Sequence, residues 1–162
     1  MSKLVFDESV VLLDVEGNTK EEILETVAKN LVDNGLVKES FIPAIINREK
    51  EFPTGLPTAG VSVAIPHTDV EHVIQKSISV AVLKKPVDFG IMGDDSETTP
   101  VQLIFMLAMD EAHSQLSLLQ KLMQVFQDEA ILKFLVNQQD KTEIKNLLEE
   151  KLDLVVFEGG EK

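Results

Sequence analysis

From Val101 to Met109 the chain reads Val-Gln-Leu-Ile-Phe-Met-Leu-Ala-Met, apolar at every position but Gln102. The run is too short to cross a bilayer as a helix, which takes about 20 residues. It also lacks the alternation of a strand with one wet face. It therefore predicts a strand buried on both faces, and such a strand needs a layer of structure above it and another below. The flanking sequence can supply both. Ile78 to Leu83 alternates serine with apolar residues, and Val61 to Ile65 is a short apolar run; both predict further strands. Thr19-Lys20-Glu21-Glu22 reads as a capping box, followed by Ile23, Leu24, Val27 and Leu31 at helical spacing and ended by Asn34-Gly35. A second helix is predicted over about Ser40 to Lys50, with Pro43 in its first turn. From Gln115 a third carries a stripe of Leu116, Leu119, Met123 and Phe126, widened by Leu118, Leu122 and Val125, and it is expected to be well buried. Asp128 to Val136 and Thr142 to Leu152 predict two closing helices, the last entered by an Asp140-x-x-Glu143 box. Gly90 to Thr99 reads as a polar, acidic loop, and Phe52 to Gly60, rich in Pro, Gly and Thr, as a structured one. The fold class expected is α/β: a single domain with a mixed sheet flanked by helices on both faces.

Charge narrows the function. With 28 acidic against 15 basic residues the chain carries a net charge of −13, which repels polyanions, so nucleic acid is not an expected partner. The absence of cysteine excludes disulfides and thiolate chemistry and is compatible with a reducing compartment. The N-terminus has only Val10-Val11-Leu12-Leu13 among acidic residues, with no basic segment or cleavable core of a signal peptide. A cytoplasmic location is expected.

Chemistry concentrates at Ile65-Pro66-His67. Ile65 must stay extended because proline follows, which sets His67 at a strand exit. Histidine is partly unprotonated near neutral pH and can accept a phosphoryl group, provided its other ring nitrogen is fixed and donors meet the transferred oxygens. Arg48, the only arginine of the chain, lies nineteen positions upstream, and its guanidinium fork suits phosphate. The hydroxyls of Thr54, Thr58 and Thr68 are further candidate donors. A lone histidine after a strand also fits a structural or solvated turn residue, and a lone arginine fits a surface ion pair. His113 stands at another strand exit, where it could meet His67 or simply face water; His72 reads as solvated surface. A metal site drawn from His67, Asp69, Glu71, His72 and His113 has no recognised ligand spacing. Phosphate-binding loop, dinucleotide and nucleophile-elbow motifs are all lacking, which argues against direct use of ATP, NAD-linked redox and esterase chemistry.

Arg48-Glu49 with Phe52-Pro53-Thr54-Gly55-Leu56, then Val63-Ala64-Ile65-Pro66-His67, then Leu116 to Leu122 together resemble the EIIA component of the sugar phosphotransferase system, in its fructose and mannitol class and most closely its galactitol-type branch. The resemblance covers 4–152, leaving 153–162 as a C-terminal tail expected to fray. It implies that His67 accepts a phosphoryl group from the phosphohistidine of HPr and passes it to the cysteine of an EIIB component, for uptake of a polyol or sugar such as galactitol. Arg48 would steady the phosphate. It implies no metal or organic cofactor, two transient protein partners, and contact with membrane EIIC only indirectly. Mannitol-type members carry a second histidine where an ungapped match puts Gln115, so either His113 or Gln115 would support the site. Thr68 stands where many relatives have glycine. The alternative is an EIIA-like regulatory module whose His67 phosphorylation state controls a transcription factor or transporter.

Overall fold

The computed structural model describes residues 4–58, 60–110, 112–152 and 156–157; the side-chain surroundings of 95, 112–115, 156 and 157 lie outside the described residues. In chain order the elements are β1 (Leu4–Val5), β2 (Val11–Val15), α1 (Lys20–Asp33), α2 (Phe41–Glu51), β3 (Gly55–Leu56), β4 (Ser62–Ala64), β5 (Ser77–Ile91), β6 (Asp94–Ala108), α3 (Ala112–Phe126), α4 (Glu129–Asn137), α5 (Lys141–Lys151) and β7 (Val156–Phe157). Single 3-10 turns occupy Glu8–Val10 and Val70–His72.

The strands form one mixed sheet in the order β3-β4-β6-β5-β1-β7, with β2 also paired to β5. β5 and β6 are antiparallel, while β1 and β2 run parallel to β5, and β4 parallel to β6. Every residue from Ser77 to Leu83 and from Leu103 to Ala108 is buried. Because neighbouring strand residues face opposite sides, both faces of this spine are covered, as the apolar run predicted. α1 and α4 pack on β5, and α5 on β2. Phe6, Phe41, Phe89 and Phe105 are among the largest fully buried side chains. Each contributes roughly 1.5–3 kcal/mol by leaving water.

Local signals set most helix ends. The Thr19 hydroxyl accepts from the Glu22 amide at 3.2 Å, and the Glu22 carboxylate accepts from the Asn18 amide at 2.8 Å, one residue earlier than a standard capping box. α1 ends where Gly35 takes a φ of 73°, a conformation that favours glycine. At α5 the Asp140 side chain caps the Thr142 amide, but Gln138 rather than Glu143 accepts from the Asp140 amide.

The stretch Phe52–Gly60, expected as a structured loop, holds the short strand β3, and three larger expectations change. The stretch Gly90–Thr99 is not a loop: β5 and β6 extend through it and meet at a two-residue turn, Met92-Gly93, with Gly93 at a φ of 81°. Its side chains are mostly exposed, so their polarity reflects a hairpin standing in water rather than irregular backbone. Lys84-Lys85-Pro86 falls where the β5–β6 register shifts, and a bulge accommodates a proline that cannot donate to the ladder. Next, β1 and β2 precede α1, where the sequence shows only a short apolar run; the positive φ of Asp14, 54°, coincides with a register shift and breaks the alternation that marks a strand. Finally, α3 is turned so that Leu118, Leu122, Val125 and Phe126 are buried while Leu116 is 57% exposed. At the C-terminus, Val156 and Phe157 pair with Leu4 and Val5, and 153–155 and 158–162 lie outside the described residues. Among the described residues no helix is long and apolar enough to cross a membrane.

Candidate functional site

β4 runs beside β6, and after Pro66 the chain remains against it: the Leu107 amide donates to the Pro66 carbonyl at 2.9 Å, and His67 bridges Leu107. His67 therefore sits at the C-terminal end of a buried strand, half-buried itself. Its Nδ1 lies 2.8 Å from the Ile65 carbonyl oxygen. A carbonyl can only accept, so Nδ1 carries the proton and Nε2 keeps its lone pair. Burial pushes the imidazole below its ordinary pKa of 6.5; the Ile65 hydrogen bond opposes the fall and the positive charge of Arg48 adds to it. The ring is thus neutral and nucleophilic at neutral pH.

Arg48 lies in the last turn of α2. Its Nη1 is 3.5 Å from the Asp69 Oδ1, and its guanidinium stacks 5.0 Å from the centre of the Phe52 ring. The side chains of Arg48 and Asp69 are 37% and 69% exposed, so the pair is long and wet and holds Arg48 only weakly. An arriving dianion can compete for such a guanidinium.

Thr54, expected among the outer donors, turns into the core instead. Its amide donates to the Glu49 Oε2 at 2.8 Å, and its hydroxyl lies 2.9 Å and 3.1 Å from the two Glu49 oxygens. The same hydroxyl accepts from the Ile65 amide at 3.2 Å. When Glu49 is ionised, that one proton is committed to its carboxylate, which leaves none for an anion at the surface. Gly55, next in the chain, lets β3 lie close against β5, because a Cβ there would meet the Gly90 carbonyl oxygen at 2.5 Å. Thr68, next to His67, is buried, while the Thr58 hydroxyl donates to the Val61 carbonyl within its own loop. His113 and Gln115 fall in the first turn of α3, close after the end of β6, and their side chains lie outside the described residues.

Glu49 is the residue that pattern reading passed over. It is 1% exposed, and burial pushes its carboxyl up to about 7 against the opposing pull of the Thr54 hydrogen bonds and Lys20. The signal was available: Phe41, Ile45 and Glu49 recur every four residues and form the buried face of α2, so a charge on that stripe had to enter the core. His72 belongs elsewhere, its Nδ1 2.8 Å from the Ser40 hydroxyl and its Nε2 3.7 Å from Glu71. Among the described residues no three His, Asp or Glu side chains converge to hold a metal ion.

The arrangement offers an unprotonated ring nitrogen within the field of a loosely held guanidinium, which suits attack on an electrophilic phosphorus. The chain is similar to known proteins in both sequence and fold. The family model described as phosphoenolpyruvate-dependent sugar phosphotransferase system, EIIA 2, matches residues 4–151. The mannitol-specific phosphotransferase enzyme IIA component of Staphylococcus aureus is 31% identical over 153 residues, covering 93% of this chain and 98% of that one. The galactitol-specific EIIA component of Escherichia coli is 29% identical over 117 residues, 72% of this chain and 77% of its own length. The transcriptional regulator ManR of Bacillus subtilis is 30% identical over 100 residues, 62% of this chain but 14% of the regulator. In three dimensions, the crystal structure of the mannitol IIA of Escherichia coli superposes with a TM-score of 0.72 at 26% identity, covering 88% of this chain and 98% of that one.

Proposed function

The chain belongs to the EIIA type-2 family of the phosphoenolpyruvate-dependent sugar phosphotransferase system, a family of phosphotransferases that carry a phosphoryl group between partners, and from that premise we propose that His67 is its phosphoryl acceptor. The donor is the phosphohistidine of HPr and the acceptor is the cysteine of an EIIB component, with the protein acting in the cytoplasm. The His67 Nε2 lone pair attacks phosphorus as the donor's N–P bond breaks and its electron pair returns to the donor ring. In the second step the cysteine thiolate attacks, and the His67 N–P bond breaks in turn. Once phosphorylated at Nε2, the ring gains positive character, and the Ile65 carbonyl, already bonded to Nδ1–H, stabilises it. Arg48 leaves Asp69 for the phosphoryl oxygens, where its fork meets charge spread over the transition state. Little covalent work falls to the protein; positioning does most of it.

The observation that carries this reading is the hydrogen bond from Nδ1 to Ile65, which leaves Nε2 as the nitrogen able to react. Reconstitution with EI, HPr and phosphoenolpyruvate tests it, followed by mapping of the labelled residue. Acid-labile label on His67 is expected, and label that persists in His67→Ala rejects the assignment. The relatives specific for mannitol and galactitol favour a polyol as the transported compound. Transfer onto the EIIB partners of each relative, measured side by side, ranks the two. A second reading, the regulatory module, draws on the match to ManR. It prevails if His67 is phosphorylated but no EIIB component accepts the group.

A further inference from the structure

Between the buried carboxylate of α2 and the reactive imidazole runs a chain of hydrogen bonds that the proposed transfer chemistry does not by itself require. Glu49 accepts the amide and the hydroxyl proton of Thr54. The Thr54 hydroxyl has spent its proton there, so toward Ile65 it acts as an acceptor, taking the amide at 3.2 Å. The Ile65 carbonyl in turn accepts from His67 Nδ1 at 2.8 Å.

Ile65 occupies a special place in this chain. The peptide that follows it leads into Pro66, which has no amide proton, so the Ile65–Pro66 unit has no donor of its own with which to anchor its orientation. The direction of the Ile65 carbonyl is set by how residue 65 is held on either side. On one side the Pro66 carbonyl is tied to Leu107 at 2.9 Å; on the other the Ile65 amide is tied to Thr54, by the hydroxyl at 3.2 Å and by a longer contact with the Thr54 carbonyl at 3.4 Å. A carboxylate placed on an otherwise apolar helix stripe is costly to bury unless it is fully hydrogen-bonded, and this one is spent on a single threonine eleven residues before Ile65.

We propose that Thr54 and Glu49 are positioning residues for His67: the carboxylate orients the Thr54 hydroxyl as an acceptor, the hydroxyl holds Ile65, and the Ile65 carbonyl holds the imidazole in the Nδ1–H tautomer with Nε2 free. Neither residue touches the phosphoryl group. The kinetic part of this inference rests on the reading of His67 as the acceptor; the part concerning the tautomer does not.

Thr54→Val keeps the shape of the side chain and deletes the hydroxyl, Thr54→Ser restores it, and Glu49→Leu roughly keeps the size of the side chain while removing both accepting oxygens. Long-range 15N–1H NMR of the His67 ring reports which nitrogen carries the proton. The wild type and Thr54→Ser are expected to show one dominant tautomer, protonated at Nδ1, and Thr54→Val a mixture. Phosphoryl transfer from phosphorylated HPr is expected to slow roughly 10-fold in Thr54→Val, as losses of supporting partners commonly do, and to recover in Thr54→Ser. A folded Thr54→Val with unchanged tautomer and unchanged rate overturns the proposal. Should Thr54→Val fail to fold, Glu49→Leu, which leaves the Thr54 hydroxyl no acceptor at that place, carries the test by the same readouts, and an unaltered His67 spectrum there overturns the proposal equally. If the wild type accepts no phosphoryl group, the reading of function falls while the NMR comparison still decides the positioning.

Discussion

His67 and His72 lie five residues apart, and each has a ring nitrogen 2.8 Å from an oxygen, yet only one of them has its tautomer fixed by that oxygen. The difference lies in the oxygen. The partner of His67 is a carbonyl, which cannot donate, so the ring is locked with its proton on Nδ1 and its lone pair on Nε2. The partner of His72 is the Ser40 hydroxyl, which donates or accepts with equal ease, and its other nitrogen faces Glu71 at 3.7 Å. His67 also lies within the field of Arg48. What holds each ring decides which nitrogen is left with a lone pair, and the second imidazole ties a 3-10 turn to the start of α2.

The sharpest way to break this comparison is to delete each ring. His67→Ala is expected to abolish labelling by phosphorylated HPr, and His72→Ala to leave it intact; the reverse pattern refutes the distinction. Arg48→Ala is expected to slow transfer by roughly 10²–10³, the usual cost of losing a donor aimed at developing charge. Its thermal midpoint should move only slightly, because the exposed pair with Asp69 and the contact with Phe52 are each worth at most about 1 kcal/mol. Single-turnover kinetics beside a melting curve separates the two effects.

A buried acid lies behind only the first of these histidines, and it gives that region a pH signature. Glu49 is raised from 4.5 unfolded to about 7 folded, so the folded state holds a proton that the unfolded state releases in this window. Stability from this group is therefore fully present below pH 4.5 and is lost as pH rises through about 7. The loss is on the order of 3 kcal/mol, at about 1.4 kcal/mol per pKa unit. His67, held below its ordinary pKa, contributes with the opposite sign, so the decline is read as the difference in urea stability between the wild type and Glu49→Gln across several pH values, which should shrink as pH rises through about 7. The smallest effect belongs to the second region: Ser40→Ala removes the hydroxyl partner of His72 and is expected to cost about 0.5–1.5 kcal/mol, with labelling unchanged.

Much of this site could be read from residues in order. Proline after Ile65 forces an extended exit, which put His67 at the end of a strand, and Arg48 fell at the end of a helix as its spacing suggested. Thr54 was legible as part of the loop but not in its direction, because a hydroxyl serves an anion at the surface or a carboxylate in the core equally well. Glu49 was hidden by its neighbour: one residue from Arg48, it reads as half of an exposed charged pair unless the buried stripe of α2 is traced through Phe41 and Ile45. The hairpin through Gly90–Thr99 was missed for a related reason, since composition reports exposure to water and not whether the backbone is paired.

The order of residues alone determined the doubly buried spine, most helix ends and the extended entry to His67, because these follow from local sterics, capping and the period of apolar side chains. Which nitrogen of His67 is free, where Thr54 points and why a carboxylate is buried behind it were decided only by folding. Those outcomes depend on partners distant in the chain, Thr54 with Ile65 and Pro66 with Leu107, and a hydrogen bond exists only once tertiary packing has brought its two ends to the same place.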